Sequence, residues 1–181
     1  MTRIPQIKPE DMNAEQKRVY DHVMATTGRS GGPAVGYAYA PGLWESNNAV
    51  SDHLADCSLS QRQVRIAAIA TARHWNARFP FAVQVRAGFE VGVEAALVDA
   101  INDGARPDFA DAEEAAVYDV TLELLAGGNL GDAGFDKAVA ALGHEKLVDT
   151  VGAVGHFCMV CMMANTVGAT PPDSVPVKLK I

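Results

Sequence analysis

The chain has 181 residues, 49% of them hydrophobic, 20% charged and 7% aromatic, with a formal charge of -7 from 22 acidic and 15 basic residues. That length predicts one domain over residues 1–181, which buries roughly 70% of its unfolded surface and needs no metal or disulfide to fold. The acidic balance provides no field to hold a phosphate backbone, so nucleic acid is excluded as an expected partner.

Helix signals follow one another along the chain and strand signals do not. An extended, proline-marked arm over residues 1–12 precedes Asn13, which forms a capping-box start with Gln16. The helix so begun carries Val19, Tyr20, Val23 and Met24 and stops at Gly28. GRSGGPAVGYAYAPG then reads as a glycine-rich loop, long enough to be functional or mobile. From Pro41 a second helix places Leu43, Val50, Leu54 and Cys57 at helical spacing. Ser60 and Gln63 form another capping box, opening a helix through Val64, Ile66, Ala67, Ile69 and Ala70 to about Ala77.

Pro80 suits the first turn of the next helix, where its missing amide hydrogen is no loss, and that helix reaches about Val91. A short helix over residues 94–102 turns Val98 and Ile101 inward. Asp111 with Glu114 caps a helix through Val117, Val120 and Leu124, which Gly127 and Gly128 stop. A short helix over residues 132–143 and a last one over about 145–166 precede an extended tail over residues 170–181. Eight helices without a hairpin predict an all-α bundle.

Residues 150–172 carry no charge, and ~20 apolar residues would cross a bilayer. His156, Asn165, Thr166 and three glycines within that stretch predict instead a helix buried in the bundle or at a subunit interface, with no membrane partner. Three cysteines, and a start without a basic n-region and apolar h-region, predict a reducing, cytoplasmic setting.

The glycines between Gly28 and Gly36 lack a following Gly-Lys-Ser/Thr, and HExxH is absent, so phosphate-loop and zincin readings lose their support. His53 and Asp56 share a helix face, but two candidate ligands do not make a metal site, and no metal is expected. Cys158-Met-Val-Cys161 has redox spacing. A reactive pair places its first sulfur at a helix N-terminus, whereas Cys158 falls about three turns inside a predicted helix, which favours packing over chemistry.

The stretch RIAAIATARHWNARFPFAVQVRAGFEVGVEAALVDAI resembles the carboxymuconolactone decarboxylase and alkylhydroperoxidase-D-like family without a gap. RIPQIKPEDMNAEQKRVYD is similar to that family's arm and first helix, residues 111–125 to a later helix, and VGAVGHFCMVCMMAN to its final helix. The resemblance implies an alkylhydroperoxidase-D-like helical bundle, assembled as a homo-oligomer, a trimer or hexamer, with the last helix as a surface to bury.

At the site this sequence departs from the family. In the ungapped register the cysteines of the peroxidase branch fall on Ala77 and Pro80, the decarboxylase Glu-Trp pair on Pro80 and Phe81, the histidine on Gln84 and the glutamate on Arg65. Ala77 and Pro80 supply neither an ionisable sulfur nor a base, so thiol peroxidase activity is not expected there. Arg65 can hold a carboxylate, and Gln84 can donate to a carbonyl or oxyanion. His74, nine residues from Arg65, lies half a turn around the helix and reads as structural. Proton transfer then falls to His156, with His53, Tyr37 and Tyr39 as alternatives. The expected catalytic set is Arg65, Gln84 and His156, with Tyr37, Trp44 and Arg78 binding substrate.

The decarboxylase branch implies a cofactor-independent lyase or isomerase acting on a small carboxylated lactone or enone, its partner a small anionic metabolite. A catalytically silent ligand-binding or structural protein, and a thiol redox protein using Cys158 and Cys161, are the alternatives.

Overall fold

The computed structural model describes residues 2–28, 30–172 and 174–181. Met1, Arg29 and Asp173, which fall in the predicted arm, loop and tail, lie outside the described residues. Among those described, the elements are a 3-10 turn at Pro9–Asp11 and helices α1 (Ala14–Thr27), α2 (Ala34–Tyr37), α3 (Pro41–Ala55), α4 (Gln61–His74), α5 (Arg78–Glu90), α6 (Ala95–Asn102), α7 (Ala112–Gly127) and α8 (Asp132–Val167). No strand occurs among the described residues, and the predicted all-α class stands.

Local sequence explains most of the boundaries. Both predicted capping boxes close in full: Asn13 with Gln16 starts α1, and Ser60 with Gln63 starts α4. Asp111 accepts from the amides of Glu113 and Glu114, satisfying two donors that the first turn of α7 leaves unpaired. Helix α4 ends at His74, three residues earlier than its pattern suggests, because Asn76 turns into the left-handed region (φ 48°) and the chain restarts at Arg78.

Two expectations are corrected. The glycine-rich loop holds a buried helical turn, α2, whose Tyr37 and Ala38 join a cluster with Val19, Val23 and Trp44. The inward face of α3 is Trp44, Asn47 and Leu54, while Leu43 and Val50 are exposed. Helix α8 holds the two predicted C-terminal helices, which meet at a break where Gly143 takes φ 71° and ψ 176°. A side chain would resist that conformation, so the glycine marks the break that the sequence placed there.

Helix α4 is central and packs against α5, α7 and α8. Its alanines keep its surface low, so neighbouring helices approach closely. Ile66, Ile69, Phe81, Val85, Val98, Ile101, Tyr118 and Cys161 fill one side, and Val64, Ala67, Ala68, Val117, Ala153 and Phe157 the other. Helix α8 contains the one stretch among the described helices long and apolar enough to cross a bilayer, and half of that stretch is buried within the molecule. The tail leaves α8 at Gly168, and its Val177 and Leu179 pack onto the first cluster.

The loop conformation has a testable consequence. Gly32 has φ +65°, and a Cβ there would meet the Phe79 ring at 2.1 Å. Gly32→Ala should cost about 1–2 kcal/mol from the backbone alone. Thermal denaturation should show it as a drop on the order of 5 °C.

Candidate functional site

Two cavities, of about 750 and about 260 Å³, share Arg65, Gln84, Asn47, Ser51 and Val160 in their walls. Helix α4 contributes Arg65 at its second turn, while α5 contributes Gln84 from the facing turn. The Arg65 guanidinium donates from Nη1 to Gln84 Oε1 at 2.7 Å and from Nη2 to Gln61 Oε1 at 3.0 Å. These two acceptors are amide oxygens, and the bonds to them orient the guanidinium.

An arginine has only donors, so it fixes which end of the Gln84 amide faces it. The Nε2 hydrogens are then what Gln84 can offer a ligand. Tyr37 treats Asn47 the same way, its hydroxyl donating to Oδ1 at 3.4 Å. Burial, and after it Cys161, raises Tyr37 to about 12, so it stays neutral. Asn48, also on the larger cavity, has a buried Nδ2 without a partner. The polar wall is therefore rich in donors, which suits a ligand rich in acceptors.

His156 lies on the smaller cavity with Arg65 and Gln84, and it is 8% exposed. Its Nδ1 is buried and has no hydrogen-bond partner, an arrangement that native structures reserve for special positions. Burial, and after it the charge of Arg65, pushes the imidazole down from 6.5 to about 4. Between those values the unfolded chain binds a proton that the folded one does not. Stability should therefore fall as pH drops from 6.5 towards 4, by at most about 1.4 kcal/mol per pH unit from this group. Urea denaturation at pH 6.5 and 4.5 should show a smaller difference in His156→Gln than in the parent.

The structure brings five of the six named residues to these cavities. Arg65 and Gln84 lie on both, His156 on the smaller, and Tyr37 and Trp44 on the larger, where each is 2% exposed. Arg78 is not among them. It is exposed at the first position of α5 and lines neither cavity; Arg86, two turns further on, lines the larger one instead.

The alternative proton donors are elsewhere. Tyr39 donates to the carbonyl of Pro5 at 2.8 Å, tying down the arm, and His53 pairs with Asp149 at 2.7 Å. His74 is exposed and meets Trp75 edge-on at 5.2 Å.

Sequence reasoning missed Asn47, Ser51, Asn48 and the tail as lining residues. Only the polar Asn47, sitting where α3 needs an apolar side chain, was a signal for any of them. Gly28, Ser30 and Gly32 match GxSxG by letter. They follow a helix, whereas a nucleophile elbow sits between a strand and a helix.

Cys161 is fully buried and its thiol is pushed up to about 12, by burial first and by Cys158 second. Cys158 accepts the Trp75 indole N–H at 3.2 Å from the middle of α8. Among the described residues no three His, Cys, Asp or Glu side chains are grouped to hold a metal ion.

No protein-family model matches the chain, and no curated protein matches it. Solved structures do. The alkylhydroperoxidase AhpD core of an uncharacterized peroxidase-related protein from Ralstonia eutropha superposes with a TM-score of 0.78 at 18% identity, covering 96% of this chain and 94% of that one. A peroxidase-related protein from Silicibacter sp. TM1040 gives 0.76 at 13% identity, covering 98% and 94%. A protein of unknown function from Agrobacterium tumefaciens gives 0.68 at 14%, covering 75% and 94%. The helical arrangement of this chain is thus the AhpD-like fold.

Proposed function

We propose that the joined cavities bind a small carboxylated metabolite and that the chain is a cofactor-independent lyase or isomerase acting on a lactone or enone of that class. The observation that carries this reading is the donor-rich wall built by Arg65, Gln84 and Asn47, with the buried His156, whose Nδ1 has no hydrogen-bond partner, beside it. Arg65 holds the carboxylate, and Gln84 Nε2 donates to the oxygen on which enolate charge develops.

For isomerisation, His156 removes a proton α to the carbonyl. The C–H electron pair passes into the enolate, and the same proton returns at the γ-carbon. For decarboxylation, the bond to the departing carbon dioxide breaks, its pair passes into the conjugated carbonyl, and a water held by His156 supplies the proton at carbon, its hydroxide leaving with the carbon dioxide as bicarbonate. Thiol chemistry is disfavoured by the burial of Cys161.

The test is turnover of a panel of carboxylated γ-lactones and β,γ-enones, followed by NMR, in the parent and in Arg65→Ala and His156→Ala. Loss in both variants supports the assignment. Turnover that survives both Arg65→Ala and Gln84→Ala overturns it, and binding without turnover in the parent selects a catalytically silent ligand-binding protein instead.

A further inference from the structure

The C-terminal tail is one wall of the larger cavity. Pro172, Ser174, Val175 and Pro176 line it. Beyond the cavity the chain is extended with a period of two: Val175, Val177 and Leu179 are half-buried, while Ser174, Pro176, Lys178 and Lys180 are exposed. That alternation is how a strand presents one face to a core, yet no strand lies beside it among the described residues.

The pairing partner is a single side chain. Asn102, at the end of α6, is 1% exposed, and both ends of its amide are spent on the tail. Its Nδ2 donates to the carbonyl of Lys178 at 3.0 Å, and its Oδ1 accepts from the amide of Lys180 at 2.9 Å. One side chain thus makes the two bonds that a neighbouring strand would make to alternate residues. Arg73 fixes Asn102 in turn, donating from Nε to its carbonyl at 2.9 Å, and Lys180 pairs with Asp103.

An apolar residue of the same size would fill this buried position without the cost of desolvating an amide. What the amide adds is register. In a chain of period two, a slip of one residue exchanges the faces. Val175 would leave the half-buried row, and the order of side chains along the wall made by Ser174, Val175 and Pro176 would change. Three residues separate Val175 from the clamp at Lys178, roughly 10 Å of extended chain, and Pro176 between them has a fixed φ. The clamp's setting therefore reaches the cavity with little slack.

We propose that Asn102 is a positioning residue for the cavity: by holding the tail in register it sets the breadth of ligand that the wall at Val175 admits. The inference rests on the cavity's being a carboxylate site, and it assigns selectivity to a side chain that lines neither cavity.

The experiment uses the full chain in a Trp75→Phe background, so that Trp44, on the larger cavity, is the reporting indole. Benzoate and 2-naphthoate, one ring and two, are titrated into the parent, Asn102→Leu and Val175→Phe. Asn102→Leu keeps the buried volume, and the two tail groups it leaves unpaired belong to exposed residues, so the fold should survive, as circular dichroism will show.

Releasing the wall should shift the affinity ratio towards 2-naphthoate by at least threefold, and Val175→Phe should shift it the other way. A general loosening of the structure would not move the two variants in opposite directions. An unchanged ratio in both overturns the proposal.

Acrylamide quenching of Trp44 separates this inference from the proposed function. If neither carboxylate binds the parent, the carboxylate reading fails. The wall is then judged by quenching alone, which should rise severalfold in Asn102→Leu and fall in Val175→Phe. Equal quenching in all three proteins overturns it.

Discussion

Arg65→Ala should weaken the binding of benzoate, or of any carboxylated substrate found to turn over, by about 10- to 100-fold. A hydrogen bond to a charged group contributes about 1.5–3 kcal/mol, and each 1.4 kcal/mol is a factor of ten in affinity. The substitution also removes the partner that orients Gln84, bonded to it at 2.7 Å, so the amide is free to turn its oxygen towards the ligand. Gln84→Ala removes only a neutral donor and should cost less.

Arg65→Lys separates charge from shape. A lysine keeps the positive charge but cannot meet both carboxylate oxygens with a planar fork, so binding should recover in part. Titration of the Trp44 emission measures all four proteins. Binding in Arg65→Ala within twofold of the parent would move the anion site elsewhere, with Arg86 as the next cation on the cavity wall.

The second large effect is on stability, at a buried carboxylate that the proposed chemistry does not use. Asp149 of α8 accepts from the backbone amide of Ser58 at 2.9 Å and from its hydroxyl at 2.6 Å, and its other oxygen meets His53 at 2.7 Å. The carboxylate thus ties the middle of α8 to the end of α3 and to the turn that leads into α4. Burial by itself pushes its pKa up, but the hydrogen bonds from Ser58 and His53 outweigh burial and the net shift is downward from 3.8.

A depressed carboxylate contributes stability that is present above its unfolded value and is lost as pH falls through its folded value. Asp149→Ala should cost about 2–3 kcal/mol at neutral pH, since it strands two donors of Ser58 in a half-buried turn. That is a fall of roughly 4–12 °C in a chain of this length. Asp149→Asn keeps the shape and gives up the charge. The gap between parent and Asp149→Asn, measured by urea denaturation, should be widest above pH 4 and should narrow as the pH falls from there. A gap that does not change with pH would show that charge contributes nothing to this tie.

The elements were legible because the signals that place them are local. A capping box at Asn13 or Ser60 is decided within four residues, and the run from Ile66 to Ala72 can only be a buried helix. Where local pattern misled, a long-range contact had overruled it. Leu43 and Val50 repeat at helical spacing as well as Trp44 and Leu54 do. What turns Trp44 and Asn47 inward is the cluster with Val19, Val23 and Tyr37, and the Tyr37 hydroxyl meeting Asn47, contacts with residues outside α3. The buried turn α2 escaped notice for the same reason, since four residues in a glycine-rich stretch carry no period to read.

By itself the sequence determined the helical class and the order and caps of the helices, all of which depend on residue identity at fixed short spacing. It also singled out Arg65, Gln84 and His156, though nothing in their spacing could say that residues 19 and 91 positions from Arg65 share a cavity with it. Only the tertiary structure decided that, by crossing α4, α5 and α8 at that point. It likewise decided that Arg86 lines the cavity where Arg78 does not, that an asparagine at the end of α6 pins a tail 76 residues away, and that His156 is buried deeply enough to stay neutral. Each of these depends on which surfaces exclude water together, and that is a property of packed helices that no single helix carries in its own sequence.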